Sequence, residues 1–129
     1  MAQHSDAHTG GCQCGAVRFR VRLLGRGSIC HCRMCQKAFG GFFGPLVTAR
    51  DASWTRGEPK WFQSSNSARR GFCGECGGTL FWERTERDTV SIAAGTLDAP
   101  TGLATTLQIY VDSAGDYYEI DPRIPARGS

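Results

Sequence analysis

Seven cysteines fall into three short clusters along a chain of 129 residues. The clusters are Cys12-x-Cys14, Cys30-x-Cys32-x-x-Cys35 and Cys73-x-x-Cys76. Four thiolates enclose a zinc ion completely, whereas three leave one coordination position open to water or a substrate. The count of seven therefore predicts two zinc ions, one in a closed structural site and one in a reactive site.

The first and third clusters are predicted to form the closed site. Cys12 and Cys14 lie two residues apart on an extended segment, so their side chains point to the same face. The gap between Cys73 and Cys76 suits a tight turn around a metal ion. Glycines that permit a positive φ in such a turn are Gly74, Gly77 and Gly78. A four-thiolate zinc here would link the first strand to the middle of the chain and supply folding energy.

The second cluster is predicted to be the reactive site, with Cys30, Cys32 and Cys35 as its ligands and catalytic groups. Three thiolates from six consecutive residues can cap one side of an ion. Zinc held this way has a net charge of about −1, so it is a weak Lewis acid and favours a soft ligand over hydroxide. The expected chemistry is thiol activation, in which a sulfur adds to a small electrophilic carbon or the adduct is split.

Other readings of the second cluster stay open at the level of sequence. His31, a histidine of the N-terminal arm (His4 or His8), or an acidic side chain from another loop would close the site and make both metals structural. Iron–sulfur ligation and redox sensing by the cysteines are further alternatives. A non-catalytic module that binds or carries glutathione or a protein partner is the main competing function.

Two basic residues near the second cluster are candidates for binding the carboxylates of a substrate, namely Arg33 and Lys37. Exposed loop charges are the simpler interpretation of both. Aromatic residues that would wall a pocket, or else belong to the core, are Phe39, Phe42, Phe43, Trp61 and Trp82.

The elements that must position these clusters are mostly strands. The segment 16–22 alternates apolar residues with arginines, so Val17, Phe19 and Val21 are expected to face a core. Turn residues separate six further strand candidates, which are Phe43–Thr48, Lys60–Gln63, Arg69–Cys73, Thr79–Glu83, Thr89–Ala94 and Leu107–Val111. One short helical turn is expected over 34–39, ended by Gly40 and Gly41. The predicted fold class is mainly β.

Length and composition predict a single small domain, and the lack of a membrane or secretory segment in the sequence predicts a cytoplasmic location. No apolar run approaches a membrane span, and the first eleven residues lack the apolar core of a secretory signal. An odd number of cysteines argues against a disulfide framework. Seven thiolates and two zinc ions bring the net charge from +3 to about zero, so bulk charge gives no support for binding nucleic acid.

Four motifs resemble the glutathione-dependent formaldehyde-activating enzyme family, which also includes the centromere protein V type. They follow the family order over most of the chain. The motifs are Gly10-Gly-Cys-Gln-Cys-Gly-Ala-Val-Arg-Phe19, Cys30-His-Cys-Arg-Met-Cys-Gln-Lys-Ala38, Phe72-Cys-Gly-Glu-Cys-Gly-Gly-Thr-Leu-Phe-Trp82 and Gly95-Thr-Leu-Asp98.

The resemblance implies a β-tent of small antiparallel sheets over residues 10–122, with an N-terminal arm (1–9) and a C-terminal tail (123–129). It implies one zinc on Cys12, Cys14, Cys73 and Cys76, and a second on the remaining three cysteines. The implied activity joins glutathione, as co-substrate, to formaldehyde and gives S-hydroxymethylglutathione, which makes the protein a carbon–sulfur lyase in the reverse direction. The implied partner is thus a small-molecule thiol.

The chain departs from the family pattern at two positions. Gln108 stands where a histidine often precedes the apolar pair of the last strand, and Ala99 replaces a common second aspartate. A different substrate is expected if either position shapes the pocket.

Overall fold

The fold is mainly β, as predicted, and most of its strand pairs are antiparallel. The structure is a computed structural model that describes residues 7–41 and 44–129. Its strands are β1 (Ala7–Gly11), β2 (Arg18–Cys30), β3 (Gly44–Arg56), β4 (Lys60–Gln63), β5 (Ala68–Phe72), β6 (Thr79–Arg84), β7 (Val90–Ala93) and β8 (Thr105–Ile109). One helix, α1 (Arg33–Phe39), and two short 3-10 turns, Ala94–Thr96 and Val111–Ser113, complete the described elements.

The described chain divides into two compact units. The first holds the described residues up to Gly25 together with Val47–Gly102, and the second holds the rest, Arg26–Leu46 without the pair 42–43 and Leu103–Ser129. Each unit contains one group of cysteines. The domain boundaries at residues 10 and 122 stay a prediction, although β1 already begins at Ala7.

The sheet of the first unit runs in the order β1-β2-β3-β7-β6-β5-β4. Strand β1 pairs antiparallel with β2 from Ala7 opposite Arg22 to Gly11 opposite Arg18. On the other face of β2, Arg20 is exposed and Arg18 and Arg22 are partly exposed, and Arg18 is ion-paired with Asp98 at 2.5 Å.

Apolar side chains of β2 and β6 form the core of the first unit. Phe19 and Phe81 are almost fully buried, and their rings meet edge to face with centroids 5.0 Å apart. Val17 and Val21 are also buried, so the alternation in the sequence predicted the inner face of β2 correctly. Trp54 adds a ring 4.9 Å from that of Phe81.

In the second unit, the end of β2 pairs in parallel with β8, and Cys30 lies opposite Ile109. Helix α1 follows directly and ends at Gly40, whose φ of 65° is left-handed and whose N–H donates to the Gln36 carbonyl. The expected short helix is confirmed. The two glycines that follow it in the sequence predicted where it stops.

Over the residues that the structure describes, no helix combines the length and the apolar character needed to cross a bilayer.

Candidate metal centres

The sulfurs of Cys12, Cys14, Cys73 and Cys76 all lie within 4.8 Å of one another in the first unit. The Cys12 and Cys14 sulfurs are 3.7 Å apart, and those of Cys14 and Cys73 are 3.8 Å apart. A tetrahedral zinc with Zn–S bonds of about 2.3 Å requires sulfur–sulfur distances of roughly 3.8 Å. The four-cysteine group therefore has the donor set and the spacing that zinc needs.

Two tight turns bring these four cysteines together. In the first, the Gly15 N–H donates to the Cys12 carbonyl, and Gly15 has a φ of 83°. In the second, the Gly77 N–H donates to the Cys73 carbonyl, and Gly77 has a φ of 77°. A side chain in this left-handed region would be strained, so both turns need glycine.

Two other glycines of the second turn do not adopt the positive φ predicted for them. Gly74 and Gly78 lie outside that region. A Cβ atom at Gly74 would come within 2.9 Å of the Lys60 side chain. The close approach of the Lys60 side chain therefore favours glycine at position 74. One left-handed residue is enough to close this turn.

Backbone N–H groups donate to the sulfurs of the four-cysteine group. Cys73 Sγ accepts from the Glu75 and Cys76 amides at 3.3 and 3.4 Å, and Cys12 Sγ accepts from the Val17 amide at 3.3 Å. Such donors stabilise thiolates and orient them toward a metal.

The two exposed thiols of this group, Cys14 and Cys76, have pKa values shifted in opposite directions. Amide donation from Cys14 and Gly78 lowers the pKa of Cys76 to about 6. The Ala16 amide favours the Cys14 thiolate, but desolvation and the neighbouring sulfurs outweigh it and raise the pKa of Cys14 to about 11. Metal binding at neutral pH must therefore release protons, which makes it stronger as the pH rises.

The sulfurs of Cys30, Cys32 and Cys35 also lie within 4.8 Å of one another, in the second unit. Cys30 is the last residue of β2, and Cys35 lies in the first turn of α1. Cys32 is the N-cap of that helix, and its Sγ accepts from the Cys35 N–H at 3.3 Å. A strand end and a helix start thus place three sulfurs around one point.

Burial differs within this three-cysteine group. Cys30 and Cys35 are buried, whereas Cys32 is partly exposed. The hydrogen bond to Cys35, together with burial, raises the pKa of Cys30 above its usual range. A metal ion would have to displace this proton.

Among residues 7–41 and 44–129, no histidine, aspartate or glutamate joins the three sulfurs as a fourth ligand. His31 was the nearest alternative, but its two ring nitrogens lie 2.7 Å from the Tyr118 hydroxyl and 2.8 Å from Gln108 Oε1. His8 lies in β1 of the first unit, and His4 lies outside the described residues.

Hydrogen bonds that sequence reasoning missed surround the start of α1. Gln36 is buried, and its Nε2 donates to the carbonyls of His31 and Ser113 at 2.9 and 3.2 Å. Its Oε1 accepts from Arg33 at 2.5 Å and from the Tyr117 hydroxyl at 2.8 Å. Tyr117 and Gln36 are 81 residues apart, and no spacing or period in the sequence connects them.

Both basic residues proposed for binding carboxylates are exposed on α1. Arg33 directly follows Cys32 and is held by Gln36 through one of its nitrogens. Lys37 lies one helical turn further along. The structure brings both into the element that carries Cys35, and their role as substrate ligands stays a proposal.

The aromatic candidates divide between the two units. Trp61 packs near Trp54 and Phe81 in the first unit, with the Arg69 guanidinium 3.8 Å above its ring. Trp82 belongs to β6 of the same unit. Trp61 is only partly buried, so it packs against the core of the first unit from the surface.

Phe39 ends α1 in the second unit and lies close to Gly44, where a Cβ atom would be 2.8 Å from its ring. Phe42 and Phe43 lie outside the described residues.

The fold and its cysteines define a small, mainly β protein with one four-cysteine and one three-cysteine group, both able to hold a metal ion. Residues 7–113 match the model of the family described as glutathione-dependent formaldehyde-activating enzyme, and the chain belongs to this family. This confirms the resemblance to that family noted in the sequence, while the centromere protein V type stays a prediction.

A crystal structure of a Rhodobacter sphaeroides protein is similar to this chain at 23% identity and a TM-score of 0.62. The similarity covers 92% of this chain and 99% of that one. This similarity supports the mainly β fold of the chain.

Proposed function

We propose that the protein is a zinc-dependent enzyme that forms or breaks a carbon–sulfur bond in a small thiol adduct. In the direction suggested by its family, glutathione adds to formaldehyde and gives S-hydroxymethylglutathione. The reverse reaction makes the protein a carbon–sulfur lyase. Reduced cysteines and a glutathione substrate suit a cytoplasmic setting.

One observation carries this proposal: three sulfurs converge from a single segment of the second unit, and no fourth protein ligand joins them among the described residues. The four-cysteine group offers the direct comparison, since its four sulfurs lie within 4.8 Å of one another and match the number of ligands that a closed tetrahedral zinc needs. The difference between the two groups supports a structural role for one zinc and a reactive role for the other.

Cys30, Cys32 and Cys35 would hold the second zinc. When bound, this zinc supplies an open position for a soft sulfur ligand and favours its thiolate form. In this direction the thiol of glutathione would give up its proton, and its sulfur would form a bond to the carbonyl carbon of formaldehyde. The electron pair of the C=O bond moves onto oxygen, and that oxygen takes up a proton to replace the one the thiol gave up.

The residues around the three-cysteine group would orient the substrate. Arg33 and Lys37 are exposed cations one turn apart on α1, where they can bind the carboxylates of glutathione. Gln36 holds the Arg33 side chain at 2.5 Å, which reduces the rotamer freedom lost on binding.

A Cys32→Ser variant tests the proposal. Serine is a good N-cap and can accept the Cys35 N–H in place of the sulfur, so α1 should persist while a soft metal ligand is lost. The matched control is Met34→Leu, which removes an exposed, non-thiol sulfur from the same helix.

The reaction also proceeds without an enzyme, so exchange between glutathione and S-hydroxymethylglutathione should be measured by NMR at equilibrium. We expect the wild type and Met34→Leu to accelerate exchange. Cys32→Ser should lose the acceleration and one of its two zinc ions. Retention of the full rate by Cys32→Ser, or no acceleration by a wild type that carries two zinc ions, would favour the binding module instead.

A further inference from the structure

His31 lies between two of the proposed ligands, and hydrogen bonds hold both its ring and its backbone. Its side chain is 1% exposed, and its ring contacts Tyr118 and Gln108. Its backbone N–H donates to the Ile109 carbonyl at 3.0 Å, and its carbonyl accepts from Gln36 Nε2 at 2.9 Å. The ring and both neighbouring peptide groups of His31 therefore form hydrogen bonds with other residues of the second unit.

The hydrogen bonds of Gln108 determine which nitrogen of His31 carries a proton. Gln108 is buried, and its Nε2 donates to the carbonyls of Asp121 and Ile124 at 2.9 and 3.3 Å. Because carbonyls only accept, the amide nitrogen of Gln108 must face them and its Oε1 must face His31. His31 Nε2 is therefore the donor, and in the neutral ring Nδ1 accepts from the Tyr118 hydroxyl.

This arrangement fixes the direction of the neighbouring sulfurs. In an extended segment, alternate side chains point to opposite sides, so holding the His31 ring on one side keeps Cys30 and Cys32 on the other. Loss of the ring contacts would free the His31 side chain to change its rotamer and loosen the peptide segment that carries both sulfurs. The relay from the carbonyls at 121 and 124 through Gln108 to His31 thus ties the three-cysteine group to the C-terminal segment.

We propose that His31 is a positioning residue, held as the Nε2-protonated tautomer by Gln108 and Tyr118, and that this relay sets the metal affinity of the three-cysteine group. The inference rests on the proposed function, because it requires a metal ion at that group. The mechanism differs from direct ligation, since both ring nitrogens are already engaged.

Cobalt titration of three variants tests the proposal, followed by the visible absorption of the cobalt–thiolate bonds. Gln108→Met removes the relay, and Tyr118→Phe removes one hydroxyl while keeping the ring. Tyr110→Phe is the matched control because it removes a hydroxyl from a tyrosine that is 44% exposed in the same unit. The four-cysteine group serves as an internal reference.

We expect Gln108→Met to weaken cobalt binding at the three-cysteine group by roughly 10- to 100-fold, and Tyr118→Phe by roughly 10-fold. The four-cysteine group and the Tyr110→Phe variant should be unchanged. If Gln108→Met fails to fold, Tyr118→Phe decides the outcome.

NMR of the imidazole nitrogens gives a second, independent readout, since the chain has only 3 histidines. The proton of His31 should lie on Nε2 in the wild type, and Gln108→Met should lose this preference.

Wild-type affinity at the three-cysteine group in both relay variants, or a wild-type proton on Nδ1, would overturn the inference alone. A wild type that binds only one cobalt ion would overturn the proposed function and this inference with it.

Discussion

The two cysteine groups should contribute very differently to stability. The double variant Cys14→Ser/Cys76→Ser removes the two exposed sulfurs of the four-cysteine group and leaves two buried ones. Cys32→Ser removes the partly exposed sulfur of the three-cysteine group and also leaves two buried ones. Each variant therefore keeps two buried cysteines in the altered group, and neither variant creates a cavity in the core.

The expected difference comes from the length of chain that each metal closes. Cys14 and Cys73 are 59 residues apart. A cross-link over a loop of this length lowers the entropy of the unfolded chain by an amount worth about 4 kcal/mol, whereas one over the short segment from Cys30 to Cys35 is worth about 2 kcal/mol. The free energy of unfolding of a small domain is itself only about 5–15 kcal/mol.

Thermal unfolding of the zinc-loaded proteins measures this difference. For a chain of this size, 1 kcal/mol shifts the midpoint by about 4 °C. We expect the double variant to melt about 16 °C below the wild type, and Cys32→Ser to melt no more than about 8 °C below it. Equal losses in the two variants, or an unchanged midpoint in the double variant, would refute the assignment of the four-cysteine group as the structural link.

Three further changes have defined outcomes. Phe81→Ala should lower the free energy of unfolding by roughly 3–5 kcal/mol in urea titrations, because a nearly fully buried ring leaves a cavity. Hydrogen bonds from Arg18 and Thr9 lower the pKa of Asp98 to about 2, below its ordinary 3.8. The stability from this carboxylate is therefore present above about pH 4 and lost as the pH falls toward about 2, so the melting difference between wild type and Asp98→Asn should shrink over that window. Gly57→Ala should destabilise the fold more than Gly102→Ala. Both glycines have a positive φ, but only a Cβ atom at position 57 would clash with a backbone carbonyl oxygen, that of Ala16. Equal melting temperatures of the two variants would contradict this prediction.

The features that depend on local spacing were predictable from the sequence. Metal geometry requires cysteines at short, fixed separations, so the spacing within each cluster identified candidate metal ligands, and the count of seven divided them into groups of four and three. The alternation at Val17, Phe19 and Val21 identified a buried strand face, and Gly40 identified the end of α1. Apart from the joining of the first and third cysteine clusters, which followed from the cysteine count, each of these signals lies within a few residues of the feature it predicts.

The features that depend on distant strand pairing and distant side-chain hydrogen bonds were not predictable. Strand β1 has the sequence Ala-His-Thr-Gly-Gly, which favours no strand by itself and is extended because it pairs with β2. Strand β2 was expected to end at Arg22 but continues to Cys30 despite two glycines, since β8 pairs with its end. The partners of His31 lie 77 and 87 residues away, so no local pattern predicts them.

The open position at the three-cysteine group is the central claim, and cobalt substitution tests it most directly. In protein loaded with two cobalt ions, glutathione should change the visible spectrum of one ion in a saturable way, and S-methylglutathione, which lacks the thiol, should not. A spectrum that glutathione leaves unchanged at both ions would contradict the account.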